Sequence, residues 1–376
     1  MPEGIAARSQ SRHGADMKLV TSATARGLRP GVIVKNRILD LLGAFAWHER
    51  QSVASATDAT AAAKYGDSVL GFIQRADVAR PVADVLVAKA EAGELPDELF
   101  SLLDGAPLVA PIPTPPSMRD GYAFRQHVEA ARRNRGVEMI AEFDLFPVFY
   151  FTNHHAVIGP GDLPVRPMQR ERLDYELEVA IVIGKAGRDL TVENADAHVF
   201  GLLVMNDWSA RAVQMEEMKL SLGPAKGKDF ATGLGPYLVT LDELADRRTK
   251  TDRGDQYDLV MRAWVNGKQL SEGNVKDMTW TFAQILERVS YGVNVHPGEV
   301  IGSGTVGTGC LLELNGSKIT QNQWLQPGDI VELEVERLGR LTNRIVAAPL
   351  QMAGFSRGPT CRSMEEDNVL QRFTSP

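Results

Sequence analysis

Five prolines stand between positions 107 and 116, in PLVAPIPTPPS, and this stretch constrains the fold more than any other. Each proline removes a backbone N–H and fixes φ, so neither a regular helix nor an internal strand runs through it. We read it as an extended connector and place a domain boundary beside it. Residues 1–16 are then a polar, disordered tail, 17–110 a smaller α/β N-terminal domain, and 111–376 the larger domain. The 376-residue length agrees with two such units.

Ahead of the prolines, LVTSATA, GVIVKN and RILDLLGAF read as short strands. Residues 50–104 are Ala-rich with helical spacing, and Gly93 is placed to stop a helix. Beyond the prolines the chain is β-rich. ELEVAIVIG (176–184) and HVFGLLVMND (198–207) are apolar strands, and YDLVMRAWVNGKQL carries the hairpin signal Asn266-Gly267. CLLELNGSKIT (310–320) repeats that signal at Asn315-Gly316, and IVELEVERLGRLTNRIV reads as a hairpin about Gly339. Helices are expected near 121–134, 209–218 and 279–290. The whole reads as an α+β architecture dominated by antiparallel or mixed sheet.

A net charge of -7 argues against binding a phosphate backbone, so no nucleic-acid partner is expected. No run approaches the length of a membrane helix. The opening MPEGIAARSQSRHGADMKLV lacks the apolar core of a signal peptide. Cys310 and Cys361 are the only cysteines, too few for a disulfide framework, and a reduced cytoplasmic chain is expected.

Five clusters carry chemistry. Glu176 and Glu178 share one face at the head of an apolar strand. That is costly unless the strand end is wet or a cation neutralises them, and oxygen-only donors select hard ions. Asp207 closes the next apolar strand, where it either caps a following helix or joins the metal set. Arg211 and Gln214 are spaced to share a helix face, either as surface residues or as a pair that holds a carboxylate or an oxyanion. Asp120 stands at an expected helix start, with His127 two turns along it. A helical histidine is a base only if a partner orients it. Gly223-Pro224-Ala225-Lys226-Gly227-Lys228 is a close-approach loop without P-loop spacing. Gly302-Ser303-Gly304-Thr305-Val306-Gly307 matches a dinucleotide fingerprint literally, but a strand rather than a helix is expected after it, so we reject that reading. No HExxH, CxxC or GxSxG is present.

In this order the ELE strand start, MNDWSAR with Gln214, LGPAKGKDFAT and GTVGTGCLLEL resemble the fumarylacetoacetate hydrolase family, from about Asp120 to Ile345. The resemblance implies a β-roll catalytic domain, a homodimer, and a Mg²⁺, Mn²⁺ or Ca²⁺ ion held by Asp120, Glu176, Glu178 and Asp207. It implies a second, structural ion at Asp207, Thr232 and, through its backbone, Lys228. His127 matches the general base, and Glu313 the acid that orients it. Arg211, Gln214 and Lys228 match the oxyanion-stabilising set, and Tyr122, Tyr150, Gln214 and Thr305 match substrate contacts. A further family arginine falls at Arg133 or Arg135. The implied activity is hydrolysis of a carbon–carbon bond in a small β-diketo acid, in aromatic amino acid catabolism, with a helix at 121–134 serving as a lid. Acylpyruvate hydrolysis, oxaloacetate decarboxylation and hydratase or isomerase chemistry stay open on the same scaffold. Met218 stands where the family's namesake has tyrosine, and residues 17–110 are unlike its N-terminal barrel.

Overall fold

The structure, a computed structural model, describes residues 16–348. Nearly all of the expected 1–16 tail, and Cys361, lie outside the described residues.

The strand Leu177–Ile183 is buried along its whole length on both faces, which is why it reads as a continuous apolar run. Val199–Asp207 pairs antiparallel on one side of it and Val300–Gly302 on the other. Thr232–Thr240 follows outside Val199–Asp207, and Lys18–Thr24 pairs with Thr232–Thr240. On the far side Met118–Gly121 runs parallel to Val300–Gly302 and is flanked by Phe149–Phe151. The result is a mixed sheet of twelve strands among the described residues. It crosses the proline segment: Leu108–Val109 pairs with the first strand, and Thr21 Oγ1 donates to the Pro111 carbonyl.

Each face of this sheet has its own core. Leu177, Val179, Ile181 and Ile183 face a cluster shared with Met261, Ala263, Leu333 and Leu341. Those four come from a five-stranded sheet in the order Lys268–Asn274, Val260–Val265, Ile330–Val335, Gly339–Ala347, Gly161–Val165. Ala180, Val182, Leu203 and Met205 face the opposite cluster, with Phe45, Tyr65, Phe72 and Leu86 of the N-terminal helices. The α+β architecture is the expected one.

Local chemistry explains the elements. Asn266 and Gly267 both adopt positive φ (52° and 76°), as the hairpin signal requires. Gly93 ends the helix Ala76–Ala92 in the left-handed conformation. Three expectations are corrected. RILDLLGAF is strand only over Arg37–Asp40; the Asp40 side chain accepts the Gly43 N–H at 3.1 Å and starts the helix Leu41–Arg50. Residues 310–320 hold the helix Leu311–Gly316 instead of a hairpin, because the buried Asp174 carboxylate accepts the N–H groups of Leu311 and Leu312. The element after the glycine-rich 302–307 segment is therefore this short helix and not a strand. Asp120 does not cap a helix: it lies in the strand Met118–Gly121, and the helix is confined to Arg125–Arg133. The helices expected at 209–218 and 279–290 are Arg211–Met218 and Phe282–Ser290.

Candidate active site

Strand register brings the acids together. Gly302 is paired with Asp120, Glu178 with Met205, and Asp207 with Thr232, so one end of the large sheet collects the carboxylates. Asp120, Glu178 and Asp207 each offer an oxygen within 4.8 Å of the others. All three are buried. Asp120 Oδ1 accepts the Gly304 N–H (3.1 Å) and Glu178 Oε1 the Thr305 hydroxyl (3.3 Å), while Tyr150 donates to Asp207 Oδ2. Glu178 Oε2 and Asp207 Oδ1 have no hydrogen-bond partner.

Burial, with Asp207 beside it, pushes Asp120 up to about 7. Burial and the charges of Asp120 and Asp207 push Glu178 well up too. Asp207 is raised by burial against the pull of Lys228. Unpaired oxygens and mutual repulsion in one buried group are what a hard divalent cation relieves, so these residues fit one.

Glu176 stands differently. Lys228 Nζ takes its Oε2 and Arg211 Nη2 its Oε1 (2.7 Å). Burial alone would raise its pKa, but Arg211 and Lys228 hold it far below the usual carboxylate range. Lys228 Nζ also donates to Asp207 Oδ2 (2.6 Å), and both anions hold Lys228 charged despite burial. Arg211 Nε donates to Asp174 Oδ2 (2.9 Å) and its Nη1 to Gln214 Oε1 (2.9 Å). That fixes the Gln214 amide and leaves its NH₂ as a donor.

His127, on the helix Arg125–Arg133, meets Glu313 of the helix Leu311–Gly316, with Nδ1···Oε2 at 2.6 Å and both side chains buried. The Thr308 N–H holds the other Glu313 oxygen at 2.9 Å. The Tyr122 ring stands edge-on to His127 with centroids 5.8 Å apart. Cys310 lies in the same group, but burial raises its thiol pKa, which makes it a poor thiolate ligand.

Each residue expected at the site is thus placed. Asp120, Glu178, Asp207, Thr305, Tyr150 and Lys228 adjoin one another, Glu176 joins through Lys228 and Arg211, and His127 pairs with Glu313. Thr232 is opposite Asp207 in the sheet, with its N–H on the Ala156 carbonyl. Arg135, with Tyr122, lines a cavity of about 280 Å³, and Arg133 does not. Tyr150 and Lys228 line a second, of about 360 Å³. Met218 is exposed. The sequence reading missed Asp174, the fully buried acid that ties Arg211 to the helix carrying Glu313. Its signal was its position two residues ahead of Glu176; the structure places it in a separate short strand, Leu173–Asp174, which pairs with Ser209–Ala210.

The two sheets and this carboxylate centre define the class. A family model described as fumarylacetoacetate (FAA) hydrolase C-terminal matches residues 117–346. The chain belongs to the fumarylacetoacetate hydrolase family. Among its relatives, fumarylacetoacetase of Oryza sativa is 33% identical over 237 residues, 50% of this chain and 55% of that protein. Oxaloacetate tautomerase YisK of Bacillus subtilis is 30% identical over 267 residues, 69% of this chain and 79% of the relative. The matched region thus spans only about half the length of the plant fumarylacetoacetase. The solved fumarylacetoacetate hydrolase of Exiguobacterium antarcticum superposes with a TM-score of 0.62 at 26% identity, covering 88% of this chain and 99% of that one.

Proposed function

We propose that this chain is a divalent-metal-dependent hydrolase that cleaves a carbon–carbon bond in a small β-diketo acid. The observation that carries the reading is a buried histidine whose Nδ1 is occupied by Glu313, set in the same site as carboxylates with unpartnered oxygens. Asp120, Glu178 and Asp207, with Glu176 beside them, are the residues to hold the ion, and an all-oxygen set selects Mg²⁺, Mn²⁺ or Ca²⁺. When bound, the ion supplies Lewis acidity toward the substrate's keto–enol oxygens. The backbone carbonyl of Lys228 and the Thr232 side chain are the candidates for a structural ion beside Asp207.

Glu313 fixes the His127 tautomer with the proton on Nδ1, which leaves Nε2 as the base. Nε2 takes a proton from water, and the hydroxide adds to the acyl carbonyl. Lys228, Arg211 and the Gln214 NH₂ balance the resulting oxyanion. The bond between the acyl carbon and the neighbouring methylene carbon then breaks, its electron pair leaves as an enolate, and a proton returns to that carbon. The products are a carboxylic acid and a shorter keto acid. Tyr122, Tyr150 and Thr305 border the substrate.

A second reading, keto–enol isomerisation of a small oxo acid, is favoured by the similarity to the B. subtilis tautomerase. It uses the proton transfer without the hydroxide addition. The test is a steady-state assay of metal-stripped protein on fumarylacetoacetate, an acylpyruvate and oxaloacetate, with and without added Mg²⁺ or Mn²⁺. Metal-restored conversion of fumarylacetoacetate or the acylpyruvate to a carboxylic acid and a shorter keto acid supports the hydrolase. Metal-restored enol–keto exchange without cleavage moves the assignment to the tautomerase, and no metal dependence in either overturns both.

A further inference from the structure

Thr308 is held in a conformation that its own side chain opposes. Its φ is 64°, and among the described non-glycine residues with left-handed φ it is the one with a branched Cβ. Branching makes this region costly, so such a residue stays there only where its neighbours hold it. Two bonds hold Thr308. Its N–H donates to Glu313 Oε1 at 2.9 Å, and its carbonyl accepts the Ser271 hydroxyl at 2.6 Å.

Ser271 comes from the five-stranded sheet. It is buried in the strand Lys268–Asn274, 37 residues ahead of Thr308. A carbonyl only accepts, so the single Ser271 hydroxyl proton points at Thr308. The Tyr175 hydroxyl, 3.0 Å from Ser271 Oγ, is therefore the donor in that second contact. Tyr175 is fully buried. The strand of Ser271 is shaped to the turn that carries Thr308, since a Cβ on Gly273 would stand 2.6 Å from Val306 Cγ2. Hydrogen bonds thus run unbroken from Tyr175 through Ser271, Thr308 and Glu313 to His127 Nδ1.

This chain of bonds bears on the chemistry because Glu313 sets the His127 tautomer. One Glu313 oxygen faces His127 Nδ1 at 2.6 Å, and the other rests on the Thr308 N–H. Were Thr308 to relax to negative φ, its N–H and its carbonyl would swing relative to one another and the bond to Glu313 would go. Glu313 is then free to rotate, and the His127 ring exchanges its proton between Nδ1 and Nε2. We propose that Ser271, with Tyr175 behind it, is a positioning residue of the His127–Glu313 pair: it holds Thr308 at positive φ and thereby keeps the proton on His127 Nδ1. It acts through the turn and touches no substrate. The inference rests on the reading of His127 as the base only for its effect on turnover.

The tautomer is measured first and turnover second. The full, Mg²⁺-loaded chain is labelled with ¹⁵N-histidine, and the His127 ring nitrogens are assigned by their loss in His127→Ala. At a pH where the ring is neutral, the parent is expected to show one protonated and one bare ring nitrogen. In Ser271→Ala the two ¹⁵N shifts should converge as the tautomers mix. A double-mutant cycle then separates positioning from a general loss of structure. In chains carrying Thr308→Gly, where positive φ meets no steric cost, Ser271→Ala should displace the shifts severalfold less. Tyr175→Phe, which keeps the ring and removes the donor, repeats the comparison if Ser271→Ala does not fold. Shifts that do not move, or that move equally in both backgrounds, overturn the proposal. On whichever substrate the parent turns over, kcat should fall about tenfold in Ser271→Ala, a fraction of the worth of a general base, with KM within about twofold. An unchanged kcat overturns the proposal as well. A parent that turns over none of fumarylacetoacetate, an acylpyruvate and oxaloacetate, with the tautomer result as expected, removes the proposed activity and leaves the positioning role standing.

Discussion

Glu178 is 0% exposed, and one of its oxygens has no partner. An isolated buried carboxylate either takes up a proton or recruits a cation, and the neighbours Asp120 and Asp207 make the cost larger. Glu178→Ala is accordingly expected to weaken Mg²⁺ or Mn²⁺ binding by at least tenfold in a calorimetric titration, and an unchanged titration would remove Glu178 from the ligand set. His127→Ala should lower the cleavage rate by about 10²–10⁴, the ordinary worth of a general base, and leave that titration as it was; full turnover would show that the base lies elsewhere. Asp174 is a subtler case because it need not touch substrate. It accepts Arg211 Nε and two N–H groups at the start of the Glu313 helix, so it sets two active-site groups at once. Asp174→Asn keeps the shape but puts a donor where acceptors are needed. We expect a loss of about 1–3 kcal/mol in the denaturation midpoint analysis and a fall in kcat with little change in metal affinity. Parental kcat in a folded Asp174→Asn protein would reduce Asp174 to a structural residue.

Elements place these side chains through backbone proximity. Gly302 faces Asp120 across the parallel pair, and a Cβ there would collide with Asp120 Oδ1 and with the Met205 sulfur at 2.8 Å. Gly304, at φ 78°, packs on the Gly121 carbonyl while its N–H holds Asp120. The glycine-rich segment is thus a close-approach loop, and its literal likeness to a nucleotide fingerprint carries no nucleotide chemistry. Gly302→Ala should therefore turn the Asp120 carboxylate aside and weaken metal binding while preserving the sheet. A parental metal titration with an unaltered far-ultraviolet circular dichroism spectrum would count against that role. Asn266-Gly267 and Asn315-Gly316 make the complementary point. The first pair sits between two strands that have partners and forms the hairpin. The second sits at the end of a helix whose start is secured by Asp174, an interaction across more than a hundred residues.

Across the whole molecule, one sheet is shared by both cores, and the acids lie at its end on the face of Met118, Ala180 and Met205. That shared burial gives the metal-stripped protein a pH signature. Above about pH 4 an unfolded chain has released its carboxyl protons, whereas folded Asp120 keeps its own until about 7 and Glu178 is raised in the same sense. The folded state then binds more protons than the unfolded one, so stability falls as pH rises through this window. Thermal unfolding of metal-stripped protein should show a declining Tm between about pH 5 and 8, and added Mn²⁺ or Mg²⁺ should flatten the decline by replacing the protons; a Tm that rises over this range would refute the account. Much was legible beforehand. Strand periodicity, the Asn266-Gly267 turn and the residue types of the site are local or depend on fixed spacing, and the sequence alone determined them. It also set Glu176 two residues ahead of Glu178, although the regular strand begins only at Leu177. Only the tertiary structure decided that both oxygens of Glu176 are spoken for by Lys228 and Arg211 while one oxygen of Glu178 is left without a partner, that 311–316 is helical, and that Asp174 joins Arg211 to Glu313. Those outcomes depend on which distant groups compete for the same oxygen, and that competition is settled by packing between strands far apart in the chain.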